Sequence, residues 1–309
     1  MKLRILVAGI ATVFAAQAAN AQQLGIGTMG QGTSGYSMGS AIAKVLSDNG
    51  VGALVQPNAG TSAYLPLIQL GELDFGIANA IEVGDALGGR GDFEGKALDQ
   101  IAPVARLFPL YVGIFARDDS GLDTVADLKG HTVTYGYTSQ LTIARVVDAI
   151  LAGGGVSSEE ITPVLVPNVL RGADDFASGR ADGAFFAIGA GKVSEVDASV
   201  GGLHFLPLPD TDEAEARLKA VVPEAYVTVA DPAPNRTGIA EPIPVMAYDY
   251  MLVAGKHVPD ETVQDVVEIL RTHKDELVSS FGTFSGFDPE NMYVDIGIPY
   301  HPGAAAALQ

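Results

Sequence analysis

The sequence has no cysteine and no tryptophan, and it sets only 18 Lys and Arg against 37 Asp and Glu. Without cysteine neither a disulfide nor a thiolate metal site can support the fold, so stability has to come from packing. A formal net charge of −19 excludes the basic footprint that nucleic acid or an anionic membrane surface requires. It does not exclude an anionic ligand, because a distant field is screened over roughly 8 Å at physiological salt. The histidines, at 131, 204, 257, 273 and 301, have no ligand spacing, and neither H-E-x-x-H nor G-x-S-x-G occurs. Asp210 and Asp212 lack the glycine and distal glutamate of a calcium loop. No catalytic constellation, cofactor or metal is therefore expected. A triad assembled across the fold stays open.

The first 21 residues place Lys2 and Arg4 ahead of an apolar run from Ile5 to Ala16, then Ala19-Asn20-Ala21, which suits a signal peptidase. This predicts an export signal cleaved near Ala21. Beyond it no run of some eighteen apolar residues appears, so no membrane insertion is expected after cleavage.

The organising stretch is Leu24 to Ser40, LGIGTMGQGTSGYSMGS. A short apolar entry leads into a loop rich in glycine and hydroxyls, and a helical pattern follows at once. Glycine permits tight turns and close backbone approach, and the free N–H groups of a helix start attract anions. Thr28, Thr33, Ser34 and Tyr36 are candidates to bond a carboxylate or a polar tail, or to cap the helix. Gly25 to Gly30 also satisfies G-x-G-x-x-G, but the second apolar run ends in Pro57-Asn58 without the acidic residue a dinucleotide site needs.

The pattern repeats. Ala53 to Val55 reads as a strand, with Gly60, Thr61 and Ser62 in the following loop and Ser62 as helix cap, which puts Pro66 in a first turn. Leu73 to Ala78 is a third strand ending at Asn79, whose amide serves a ligand or a turn. Such units describe a parallel sheet whose carboxyl edge is the site. Residues 83–100, rich in glycine and charge, read as a surface excursion. Ile101 to Ala116 is a long apolar strand that carries the chain to a second domain. Arg106 within it either grips a ligand carboxylate or pairs with a protein acid.

The second domain repeats the plan, with Tyr137, Thr138 and Ser139 in its polar loop. Phe185 and Phe186 alternate on a strand, so that one walls a cleft and the other is core. Arg171 reads as a helix-surface residue. Ala230 to Pro244 is proline-rich and reads as linker, Val245 to Val253 as a strand returning to the first domain, and Pro259 to Leu277 as one amphipathic helix. The chain thus crosses twice, near residues 112 and 245.

Four blocks in this order resemble the TAXI-type solute receptors of tripartite TRAP transporters. They are the front loop through Gly39; Gly60-Thr61-Ser62 with Gly71-Glu72-Leu73-Asp74; Asp127-Leu128-Lys129-Gly130 with Gly179-Arg180-Ala181-Asp182-Gly183-Ala184-Phe185-Phe186; and Pro299-Tyr300-His301-Pro302-Gly303-Ala304. The resemblance implies an α/β protein with the type II periplasmic-binding-protein fold. Lobe I would comprise residues 22–112 with 245–309, and lobe II residues 113–244. It further implies a periplasmic, non-enzymatic receptor that captures a small carboxylate-bearing solute, an amino acid such as glutamate or a dicarboxylate or oxo acid, for a TRAP membrane permease. His301 matches the family's terminal turn and is expected to be structural. The chain departs from the family at Gly136-Tyr137-Thr138-Ser139-Gln140, where a glycine-rich run is common, and at Gly35, where an aromatic residue often precedes Tyr36. An exported enzyme acting on a small organic acid and a sensor-associated binding protein are the alternatives.

Overall fold

Apolar segments of five or six residues, each followed by a glycine- or hydroxyl-bearing turn and an amphipathic segment, fold as strand, loop and helix. The computed structural model describes residues 23–31, 33–138, 140–294 and 297–308. The expected export signal lies outside them, as does Ser139. The first half runs β1 (Leu24–Met29), α1 (Ser34–Asp48), β2 (Ala53–Asn58), α2 (Thr61–Gln69), β3 (Phe75–Asn79) and α3 (Ala80–Gly88). β1 pairs in parallel with β2 and β3. α1 buries Met38, Ala41, Ile42, Val45 and Leu46, the three- and four-residue spacing of a helix face turned to a core.

β4 (Ile101–Arg117) then leaves this half. The second half holds β5 (Thr132–Gly136), α4 (Leu141–Gly153), β6 (Thr162–Val166), α5 (Val169–Ala177), β7 (Gly183–Ala187), α6 (Gly191–Val200), β8 (Leu203–Phe205), α7 (Asp212–Val221) and β9 (Tyr226–Ala230). β10 (Ile243–Gly255) returns, and α8 (Asp260–Thr272), α9 (Lys274–Ser280) and α10 (Pro302–Ala307) finish the first half. The strand order is β2-β1-β3-β10-β4-β7-β5-β6, with β8 on β4 and β9 on β10. β4 and β10 are antiparallel from Ile101↔Gly255 to Val112↔Met246 and join the two parallel halves. One core gathers Ile26 to Phe108 with Met251 to Ala304, and a second lies mainly between Val112 and Tyr248. The fold is the expected two-lobed α/β architecture.

Several local expectations need correction. Residues 83–100 are not only a surface excursion: they begin within α3, which Asn79 and Glu82 start with a reciprocal capping box and which buries Ile81, Val83 and Ala86. Its interior Gly84 and the run Gly88-Gly89 that ends it disguised it. α2 starts at Thr61 with Gly60 as its N-cap, so Ser62 is not the cap and Pro66 lies beyond the first turn. The expected helix from Pro259 to Leu277 is two helices, broken at His273, whose backbone leaves the helical region at φ −119° and ψ 35°. β9 precedes the proline-rich linker and pairs with β10, Ala230 opposite Ile243.

The glycines of G-x-G in β1 serve packing. A Cβ on Gly27 would lie 2.8 Å from the Tyr64 ring, and one on Gly25 would lie 2.9 Å from a Leu73 methyl. Tyr64 is fully buried, and its hydroxyl donates to the Ile77 carbonyl. The motif therefore admits an aromatic ring against the strand, where a nucleotide site would admit a phosphate. Replacing Gly27 with Val should cost about 1–3 kcal/mol by overpacking. In denaturant unfolding, adding Tyr64→Ala to Gly27→Val should destabilise by less than the two single changes combined. Strict additivity would show that the ring does not dictate the glycine.

Candidate ligand-binding site

The helices α1, α2, α4 and α5 all begin at the carboxyl ends of the strands, where the two halves face one another. A cavity of about 440 Å³ opens there. Its floor is the sheet itself: Ile77 and Asn79 on β3, Tyr248 and Tyr250 on β10, Leu110 and Val112 on β4, Phe185 and Ala187 on β7. Register aligns this floor, with Asn79 opposite Tyr250, Leu110 opposite Tyr248 and Val112 opposite Ala187. Met29, Gly35 and residues 59–63 form one wall, and Gln140, Thr142, Ile143 and Val169 the facing wall.

Of the sequence-derived candidates, the cavity brings together Gly60, Thr61, Ser62, Asn79 and Phe185. Phe186 lines it too, so the expected division into one wall residue and one core residue does not describe this strand. Asn79 spends its side chain on α3: its amide nitrogen donates to Glu82 at 2.7 Å and its oxygen accepts from the Glu82 N–H at 2.9 Å. Thr28 is fully buried, its hydroxyl donating to the Met29 carbonyl at 2.9 Å and its methyl lying where a Cβ on Gly39 would sit. Thr33 caps α1, accepting from the Tyr36 N–H, and also donates to the Gly30 carbonyl. Ser34 opens α1 outside this cavity, and Tyr36 lines a surface groove with Lys44 and Phe281.

Tyr137 turns inward. It is fully buried with φ +44°, its hydroxyl 2.8 Å from that of Thr134 and its ring edge-on to Phe185 at 6.3 Å. A left-handed backbone is costly for a bulky residue, and the buried hydrogen bond and ring contact offset it. Thr138 beside it is exposed and does not line the cavity. Arg106 takes its protein-acid alternative: Nε lies 2.9 Å from Asp249, which also accepts from Tyr226 at 3.0 Å. Asp249 sits between Tyr248 and Tyr250, so strand alternation points it away from the cavity. Arg171 pairs with Asp175 at 3.0 Å on the surface of α5. His301 is buried and accepts from the Gly303 N–H at the start of α10, and burial lowers its pKa.

Sequence reasoning missed the cavity's charge. Its acidic and basic lining residues are Glu82 and Asp92, both acids. Glu82 is partly exposed, facing the cavity with Thr61, Asn79, Tyr248 and Tyr250 around it. Desolvation pushes its pKa up to about 7, helped by the charges of Asp92 and Asp85 and opposed by hydrogen bonds from Thr61 and Asn79. The Asn79-x-x-Glu82 spacing was a visible capping signal, and it would have placed the carboxylate at the strand's end. Asp85, one turn further along α3, is buried and receives both Arg145 end nitrogens from α4, at 3.0 and 2.6 Å. Arg90 reaches Glu224 at 3.2 Å beside it. These pairs tie α3 to the opposite lobe.

Two consequences are measurable. Arg106→Ala would leave Asp249 buried without its partner, and unfolding should show a loss of about 3 kcal/mol with solute affinity unchanged. Intact stability with abolished binding would return Arg106 to the site. For Glu82, the folded state holds its proton more tightly than the unfolded chain, so its contribution to stability falls as pH rises from about 4.5 to about 7. Glu82→Gln removes that dependence. Denaturant unfolding from about pH 4.5 to 8 should show the variant gaining on the wild type through that window and holding its lead above it; parallel profiles would place Glu82 in water.

The two-lobed geometry has solved counterparts. A TctC solute-binding protein from Polaromonas superposes with TM-score 0.55 at 14% identity, covering 93% of each chain. The periplasmic aliphatic sulphonate-binding protein SsuA from Escherichia coli gives 0.51 at 15%, covering 93% of this chain and 78% of that one. The putative sulfonate-binding SsuA of Methylobacillus flagellatus gives 0.53 at 15%, with 86% and 73% covered. These likenesses concern the fold. The sequence itself matches the model of the NMT1-like family over residues 26–309, nearly the whole described chain, and the protein belongs to that family.

Proposed function

We propose that this protein is a periplasmic solute receptor of the TAXI type. In this reading it captures one small carboxylate-bearing solute between lobe I (22–112 with 245–309) and lobe II (113–244) and hands it to a TRAP-type permease. The carrying observation is the cavity of about 440 Å³ between two lobes joined by β4 and β10, within the size range of small-molecule sites. Membership of the NMT1-like family and the solved binding proteins of the same fold support capture rather than catalysis.

The lining favours an amino acid, or another acid that carries an amine, over a dicarboxylate. The start of α2, at Thr61 and Ser62, lines the cavity with backbone N–H groups suited to a carboxylate, whereas the Val169 N–H that opens α5 is taken by Gln140. Glu82 and Asp92 offer a counter-charge to an ammonium group and would repel a second carboxylate. Binding energy would come from several hydrogen bonds of about 0.5–1.5 kcal/mol each, stronger where charged. Export of the chain, with the signal removed near Ala21, would place it where such a receptor works.

A thermal-shift screen of amino acids, amine-bearing acids, dicarboxylates and oxo acids tests this. A hit present at 100 times its dissociation constant adds about 2.7 kcal/mol of stability. An ammonium ligand needs Glu82 ionised, so its affinity should rise as pH climbs through about 7 and fall about tenfold or more in Glu82→Gln. A best ligand that is a dicarboxylate, with affinity falling as pH rises, would refute the zwitterion preference. Turnover of any compound would refute the receptor.

A further inference from the structure

A second cavity of about 400 Å³ adjoins the first. Leu110, Ala187 and Tyr250 line both, so the two chambers meet at a waist no thicker than these side chains. The second chamber is lined by Ser34 at the start of α1, by Thr283 and Ser285, and by Arg236 from the linker ahead of β10. Arg236 is its charged residue. Its guanidinium carbon stacks 4.7 Å from the centroid of the Tyr111 ring, and one end nitrogen donates to the Asp231 carbonyl at 2.8 Å.

The partners of the other arginines single it out. Arg90, Arg106, Arg145, Arg171, Arg180 and Arg271 each pair with a carboxylate. Arg117 and Arg217 are spent on the carbonyls that end α5 and α4. Among the described residues, Arg236 alone of the arginines has neither a carboxylate nor a helix-end carbonyl as partner, its side chain donating to the Asp231 carbonyl of its own loop, in a chain where acids outnumber bases 37 to 18. A half-buried guanidinium stacked on an aromatic ring is held in one orientation with donors to spare, which suits a planar anion.

Building on the receptor reading, we propose that Arg236 is a specificity-determining residue that holds a ligand carboxylate in the second chamber. The solute is then an elongated zwitterion threaded across the waist, its ammonium group toward Glu82 and its carboxylate among Arg236, Ser34, Thr283 and Ser285. The methylene chain would pass over Ala187, the smallest of the three side chains that line both chambers. The division of charge between the chambers selects against molecules with the same charge at both ends.

The test is calorimetric titration of the signal-free chain with a series of unbranched ω-amino acids of increasing length and with the n-alkylamines that match them without the carboxylate. Wild type should bind one of the longer ω-amino acids best. Arg236→Ala should weaken that binding by about tenfold or more, and Arg236→Lys should restore part of it. The matching alkylamine should bind wild type and both variants equally, which also shows the variants to be folded. Equal binding of the acid to wild type and Arg236→Ala, equal loss for acid and amine, or no binding by any member of the series would each overturn the proposal. None of these outcomes touches the receptor reading, which stands or falls on the broader screen.

Discussion

The pairing of β4 with β10 is the constraint on which the rest depends. These strands of 17 and 13 residues hydrogen-bond to each other, and each half-sheet attaches to one of them, β3 to β10 and β7 to β4. A single ribbon thereby fixes the direction in which the carboxyl edges of both lobes face. Strand alternation divides its two surfaces: Leu110, Val112, Tyr248 and Tyr250 floor the cavity, and Asp249 turns the other way to Arg106. Register shifts next to Tyr250 and again at Leu252 mark where the ribbon departs from a regular ladder, close to that floor. Extra residues of this kind bend a strand and raise its twist.

Charge runs against the trend of the chain in the second chamber, where Arg236 is the charged lining residue. The overall field is negative and would slow the approach of a dianion, although salt screens it beyond about a Debye length. Inside the cleft the low dielectric makes local groups decisive. The first chamber offers acids, and Glu82 holds its proton to about pH 7 because burial costs its ionised form more than Thr61 and Asn79 return. The second chamber offers a guanidinium. A ligand of one sign would be favoured in one chamber and repelled in the other, and a molecule bearing both signs satisfies each.

The fold was legible because it is written in local patterns: apolar runs, capping residues and the two long apolar strands that carry the chain across. The site was only partly legible. Hydroxyls in the front loop were visible, but a sequence does not say which way a hydroxyl points. Thr28 and Thr33 are consumed by their own turn, and Tyr137 folds back onto Thr134. Arg106 looked exceptional because it interrupts an apolar run, and the partner that explains it, Asp249, lies 143 positions away, adjacent only through the β4–β10 register. Glu82 and Arg236 were passed over for the opposite reason. Glu82 directly precedes the glycine-rich segment that read as surface and Arg236 lies in the proline-rich linker, and only the tertiary structure turns them inward.

Lobe closure and ligand contact converge on α3. Glu82 and Asp85 lie three residues apart, so they share a face within a single turn, one directed to the cavity and the other clasped by Arg145 of α4. Both carboxylates belong to one helix of nine residues, so a displacement of either is shared through its backbone hydrogen bonds. Any shift that optimises Glu82 against a bound ammonium is therefore transmitted to the Asp85–Arg145 clasp, and an opened clasp would leave Asp85 without its main counter-charge. Breaking a buried pair is far more costly than breaking an exposed one. In a receptor of the proposed kind, the Asp85–Arg145 pair would be one of the contacts that any separation of the lobes has to break.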